Sequence, residues 1–321
     1  MKLPAFTGHD AGSRLRDAGE LARSRVGHIR WDQIVLPITF FGVSGSWFAS
    51  FVIGPSALGY DARLYAFAAR AMIEGQDPWR VERFGGNFAG PPTTLVPYLP
   101  FAYLPEEAVA AIWIIGSLVL AILILRRLGL PPWWLAFPPL FVPIVTGSVE
   151  VLMVAILVSG GRLTGLAAVL KPYAALPLLA ERRWLAFVVA GVATLLTLPL
   201  LPWATFVADI PYIASRLQIQ SFTSNAFGNV PLMLVAGVAL LSLGIRRALW
   251  LVTPVLWPSP QIYYAAMTIP VITPLIALCW SLDFPGALVV GVVLAAISHR
   301  LKADDPLMVR GGRNHSRHDG N

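Results

Sequence analysis

Residues 33–53 read QIVLPITFFGVSGSWFASFVI, and residues 59–65 read GYDARLY. The first stretch is long enough to cross a bilayer, whose hydrocarbon core asks for about 20 mainly apolar residues. The second sets one carboxylate, Asp61, among arginines and aromatics directly after that crossing. Arg14, Arg16, Arg23, Arg25 and Arg30 all precede the span. Arginine-rich flanks stay on the cytoplasmic side, so the chain is expected to start inside and to carry Asp61 to the outer face. The first thirty residues contain Asp10, Asp17 and Glu20 and no apolar core. An uncleaved first span, not a cleaved signal, is therefore expected to insert the chain.

Composition extends this reading to the whole chain. Of its 321 residues 56% are apolar and only 13% charged, which excludes an ordinary soluble domain and gives an all-α, polytopic membrane protein. The net charge of +7 is carried partly by Arg126-Arg127, Arg182-Arg183 and Arg246-Arg247, at the ends of apolar segments. That placement is the signature of membrane topology and anionic headgroups, so membrane lipids are expected partners and nucleic acid is not. The lone Cys279 lies inside an apolar run. Neither a disulfide, a metal nor any other cofactor is expected from these residue types and spacings.

Three regions follow: a basic cytoplasmic segment (1–30), a polytopic domain (31–300) of about nine to eleven transmembrane or half-membrane helices, and a polar, Gly-rich, disordered tail (301–321). Residues 54–104 are expected outside. Within them, Leu64, Phe67, Ala68, Ala71 and Met72 recur at helical spacing. A helix over Ala62–Glu74 is too short to span, so it should lie along the outer interface and stop at Gly75. A second span is expected over Glu107–Leu125, then shorter pieces over 132–145 and 148–159, broken at Thr146-Gly147-Ser148. Leu163–Leu179, interrupted by Lys171-Pro172-Tyr173, reads as two half-helices meeting at depth, because Arg162 and Arg182-Arg183 flank it with positive charge. Further spans fall near 184–201, 229–245, 248–257, 262–279 and 284–298, and the polar, aromatic 202–228 forms a second outer loop. Counted this way the tail ends outside, whereas its Lys302, Arg310, Arg313 and Arg317 favour inside; one segment is counted wrongly. Helices broken at Pro138-Pro139, Pro143, Pro270 and Pro274 must enclose something, as they do in transporters and in enzymes that draw a lipid-linked substrate into the bilayer.

The order of several short motifs resembles a known family. Asp61 to Tyr65 fits D-x-x-x-Y, and Gly75-Gln76-Asp77-Pro78-Trp79 fits a G-x-D-P-aromatic turn. Pro91-Pro92 leads a short helix containing Leu95, Pro97 and Pro100, before Leu104-Pro105. Gly147-Ser148-Val149 with Leu152 fits G-N-V/I-x-x-L, and Gly165 to Pro172 fits G-L-x-x-x-x-K-P, followed by the basic Arg182-Arg183-Trp184. Across about residues 55–200, with an echo at Ser259-Pro260, the chain resembles the GT-C fold membrane glycosyltransferases. Among these it is most similar to the bacterial polyprenol-phosphate-mannose-dependent mannosyltransferases. It departs from them at Ser259-Pro260-Gln261-Ile262-Tyr263-Tyr264, which lacks the family's late histidine, and at Glu150, where a neutral amide is common.

The resemblance implies a single inverting transfer of a hexose, mannose foremost, from a polyprenyl phosphate to a lipid or glycan acceptor outside the bacterial inner membrane. Such chemistry needs a carboxylate to take the acceptor's proton and cations near the leaving phosphate. Asp61 is the candidate base, although an Asp there also suits a helix cap. Arg63 and Arg70, seven apart on one helical face, suit an anionic phosphate or a headgroup-facing surface. Lys171 at membrane depth marks a phosphate site, a paired partner or a snorkelling side chain. Tyr65 belongs to the Asp61 motif. Glu150 either pairs with a first-loop arginine or binds sugar hydroxyls. Arg216, with Gln218 and Gln220, lines the acceptor side or a solvated loop. Tyr263 stands in the place of the missing histidine or anchors the interface, and Trp79, Trp133 and Trp134 are expected in an aromatic belt. Two other classes stay open: a lipid or solute transporter or flippase, and a silent membrane relative that binds without turnover.

Overall fold

The computed structural model describes residues 31–53, 58–219, 225–258, 261–282 and 284–301. The basic N-terminal segment, the tail, Gln220, Ser259-Pro260 and the side chain of Gln218 lie outside the described residues. The architecture is all-α apart from one two-residue hairpin. Its first half runs α1 (Asp32–Ile53), α2 (Tyr60–Ile73), β1 (Glu82–Arg83) paired with β2 (Gly86–Asn87), a 3-10 helix (Pro92–Phe101), and α3 (Glu106–Arg127). After a short 3-10 turn (Pro132–Ala136) come α4 (Pro138–Thr146), α5 (Glu150–Ser159), α6 (Leu166–Leu170), α7 (Ala175–Ala180), α8 (Trp184–Thr197) and α9 (Trp203–Ile219). The chain closes with α10 (Val230–Ser242), α11 (Ile245–Leu256), a 3-10 helix (Ile262–Thr268), α12 (Pro274–Ser281) and α13 (Ala287–Arg300).

Among the described residues α1 and α3, 22 residues each, are long and apolar enough to cross a membrane, and α4 with α5 makes a third crossing if the bent pair is one span. That pair turns by 119° at the expected Thr146-Gly147-Ser148 break. Ile38, Phe41 and Ile53 on α1, Leu195 on α8 and Val238 on α10 are exposed. In a membrane chain such apolar faces meet lipid rather than water. The opposite face of α1 is buried at Leu36, Phe40 and Ser44, where the Ser44 hydroxyl donates to the Ala136 carbonyl at 2.8 Å. At the basic end, Arg127 donates to the carbonyls of Val158 and Ser159, and Arg183 to that of Leu157. These guanidiniums satisfy the C-terminal carbonyls of α5 that no intrahelical N–H can reach.

Two apolar cores result. The larger fills the helix bundle around Phe40, Trp134, Phe137, Leu140, Met153 and Leu251. The smaller joins α2, Trp79, Phe88, Leu95 and Tyr98 to Val149, Leu170 and Ile213. Three expectations change here. Residues 203–219, expected in a polar loop, form α9, strapped to the segment between α2 and α3 by Arg80–Asp209 (2.6 Å) and by Arg80 over the Tyr212 ring. Residues 262–279 do not make one span: Pro270 and Pro274 divide them into a 3-10 helix and α12. Trp79 and Trp134 do not form a belt but are fully buried, the Trp79 indole donating to the Gly90 carbonyl at 2.9 Å.

The break at Lys171-Pro172 is real and has a defined support. Pro172 has no N–H, and the Ala174 N–H turns to the Lys171 carbonyl. The Leu170 carbonyl thereby loses its i+4 partner, and the helical ladder is interrupted beside Val169. Thr93 and Thr94, just inside the 3-10 helix that Pro91-Pro92 begins, donate their hydroxyls to the Val169 and Leu170 carbonyls at 2.5 Å each. A buried carbonyl without a donor costs about 1–3 kcal/mol, so this pair of threonines makes the irregular backbone tolerable.

Candidate active site

Two glycines bring the site together. Gly59 (φ 69°) turns the chain into α2, and its N–H donates to the Val145 carbonyl at 2.9 Å. Gly147 (φ 69°) turns α4 into α5, and a Cβ there would stand 2.7 Å from Ala62 Cβ. Both need the left-handed conformation that glycine adopts without strain. The start of α2 is therefore pressed against the α4–α5 bend. Asp61, second residue of α2, is 7% exposed, and its Oδ2 accepts from the Thr146 hydroxyl at 2.9 Å. No side chain caps α2, whose N-cap position is Gly59. The capping role that Asp61 also suited is thus not the one it plays.

Asp61 lines a cavity of about 250 Å³. Tyr60, Tyr65, Asn87, Thr146, Lys171, Gln261 and Tyr263 supply polar wall, while Trp47, Phe51, Val142 and Leu217 supply an apolar one. Burial above all, and then the nearby Glu150 charge, push the Asp61 carboxyl up from 3.8 to about 6, with the Thr146 and Ser148 hydroxyls and Lys171 pulling the other way. A carboxylate held there is ionised at neutral pH yet a stronger base than an ordinary aspartate.

Behind this wall sits a fully buried carboxylate. Glu150, the first residue of α5, forms an ion pair with Lys171 at 3.2 Å and accepts from the Tyr173 hydroxyl at 3.3 Å and from the Ser148 hydroxyl. Its partner is therefore Lys171 and not an arginine of the first outer segment. The Lys171 ammonium also lies 5.8 Å from the Tyr65 ring centroid, and that ring packs edge-on against Tyr98 and Phe88. The break in the 163–179 segment puts the lysine side chain at the cavity.

The remaining candidates divide. Asp61, Tyr65, Lys171 and Tyr263 line the cavity, with Glu150 directly behind. Arg63 and Arg70 do not converge on it: Arg70 is exposed and paired with Glu74 at 2.8 Å, and the Nε of Arg63 is buried elsewhere without a partner. Arg216 stands one shell back, its Nε donating at 2.8 Å to Asn87 Oδ1. Thr146, Asn87, Gln261 and the clamp of Thr93 and Thr94 escaped sequence reasoning. Thr146 lies in the quoted break Thr146-Gly147-Ser148, and Thr93 and Thr94 directly follow Pro91-Pro92, but nothing in the sequence shows where their hydroxyls point.

The helical membrane architecture agrees with the build of the GT-C-type membrane glycosyltransferases. The chain belongs to glycosyltransferase family 87, a family of that type, whose model matches residues 88–311. Glu150, Lys171, Arg216 and Tyr263 fall within the matched region, and Asp61 precedes it. No curated protein and no solved structure matches the chain.

Proposed function

We propose that this glycosyltransferase moves a hexose, mannose by the motif resemblance, from a polyprenyl phosphate to a lipid or glycan acceptor. Transfer takes place at the outer face of the bacterial inner membrane, with the N-terminus in the cytoplasm and residues 31–300 forming the catalytic domain. The observation that carries this reading is that the Asp61 carboxylate and the Lys171 ammonium line the same cavity. The acceptor hydroxyl attacks the anomeric carbon as Asp61 takes its proton. The bond from that carbon to the phosphate oxygen breaks, and its electron pair leaves with the polyprenyl monophosphate. Lys171 stands where a cation stabilises the charge developing on that oxygen. The apolar wall at Trp47 and Phe51 suits the isoprenoid end of the donor.

The test is transfer from labelled polyprenyl phosphate mannose to a lipid-extract acceptor pool, with purified protein beside its Asp61→Asn variant. Product from the wild type alone supports the reading. Equal product from both removes Asp61 from the base role. Tight donor binding without product from either protein points to a silent relative, and transport activity insensitive to Asp61→Asn points to a transporter.

A further inference from the structure

Glu150 takes no part in the reaction just described, yet it is a fully enclosed carboxylate beside it, at 0% exposure. An unpaired charge in such a place is costly enough that its partners must account for it. Three polar groups do so: the Lys171 ammonium at 3.2 Å, the Tyr173 hydroxyl at 3.3 Å and the Ser148 hydroxyl. Two of these connections lead back to Asp61. Lys171 lines the same cavity, and Ser148 belongs to the Thr146-Gly147-Ser148 bend, whose Thr146 hydroxyl donates to Asp61 at 2.9 Å.

We propose that Glu150 is a positioning residue of this site, pinning the Lys171 ammonium against the cavity wall and holding a second negative charge directly behind Asp61. The charge count supports a tuned site. Asp61 and Glu150 together outweigh Lys171 by one negative charge, so the cavity resists a phosphate monoanion more than a site with a neutral residue at 150 would. The same excess makes Asp61 a stronger base. Glu150 thus gives up some donor affinity for proton-accepting strength. The other titratable groups around Asp61 are Tyr60 and Tyr65 on its own helix, Tyr98 on the first 3-10 helix, and Tyr263 and Tyr264 in the cavity wall. Being phenols, with an ordinary pKa near 10, these stay neutral and cannot substitute for the charge of Glu150.

This inference rests on Asp61 as the base, so its test needs a readout that works without turnover. The pH at which Asp61 ionises is read from the gap in melting temperature between a protein with Asp61 and its Asp61→Asn counterpart, followed from pH 4 to pH 8. In the Glu150→Gln background the midpoint of that gap is expected to move down by about one pH unit, as loss of a neighbouring like charge requires. In Glu150→Asp, which keeps the charge, it stays near its original place. In the transfer assay Glu150→Gln moves the acid limb of kcat/KM down with it, lowers the donor KM several-fold and lowers kcat. If Glu150→Gln alone fails to fold, the doubly neutral Glu150→Gln/Lys171→Gln protein serves, with a smaller shift in the same direction. An unmoved midpoint, or one that rises, overturns the proposal. A midpoint that moves as expected in a protein without transferase activity would sink the proposed function instead and leave the electrostatic pairing standing.

Discussion

Replacing Asp61 with asparagine should make this protein more stable while abolishing its chemistry. The folded protein holds the Asp61 carboxyl at about 6, against 3.8 for an ordinary aspartate, chiefly because the group is buried. About two units of upward shift correspond to about 3 kcal/mol of strain on the folded state whenever the group must be ionised in both states. Below pH 3.8 the carboxyl is protonated whether the chain is folded or not, and the strain is absent. As pH rises from 3.8 to 6 the unfolded chain ionises first and the folded wild type loses stability; above about pH 6 the full strain of about 3 kcal/mol is present. Asparagine carries no charge at any of these values, and its carbonyl can still accept the Thr146 hydroxyl now bound by Asp61 Oδ2. Thermal unfolding in detergent micelles should therefore show Asp61→Asn melting above the wild type at pH 7.5. The difference should narrow steadily toward pH 4. A variant that melts lower at pH 7.5, or a difference that does not change with pH, would refute the argument that Asp61 is held in a strained, ionised state.

Further expectations concern the groups around it. Transfer should rise with pH through about 6 and level off above, since the proton-accepting form of Asp61 accumulates over that range; an activity maximum on the acid side would contradict it. Lys171→Met should cost activity by two to three orders of magnitude, of the size of other lost charge-stabilising groups, and should destabilise through the stranded Glu150; initial rates and melting temperatures measure the two separately. Gly147→Ala forces a Cβ to 2.7 Å from Ala62 Cβ at φ 69°, and should lower stability by about 2–3 kcal/mol. It should also lower kcat, because Ala62 adjoins Asp61. Arg80→Ala removes the 2.6 Å pair with Asp209 and should speed hydrogen exchange in α9 with little change in global melting temperature.

Much of this architecture was legible in the sequence because lipid imposes simple rules. The span expected over Gln33–Ile53 is α1, that over Glu107–Leu125 is α3, and the break at Thr146-Gly147-Ser148 is a 119° bend. The short helix expected over Ala62–Glu74 runs Tyr60–Ile73, with the left-handed Gly75 (φ 74°) just beyond its end. Hydropathy failed where polarity and helicity separate. Residues 203–219 carry Asp209, Tyr212 and Arg216 and even Pro211, yet fold as α9, because those polar groups have partners on the segment between α2 and α3. Pairing across the fold was equally out of reach. Glu150 and Lys171 stand on opposite sides of a chain reversal, and no spacing rule joins them. Lys171 was recognisable as costly at depth; that its cost is met by a buried glutamate is a property of three dimensions.

The threonine clamp on the Val169 and Leu170 carbonyls has a bearing on how such enzymes can be recombined. Swapping residues 54–104 alone between two such enzymes would separate two hydroxyls from the oxygens they serve. A crossover placed between residues 94 and 169 thus severs a joint that neither parent exposes on its surface. Chimaeras that exchange residues 54–104 and 163–179 together keep donor and acceptor of those bonds from a single parent. The two segments, far apart in the chain, are one interchangeable part.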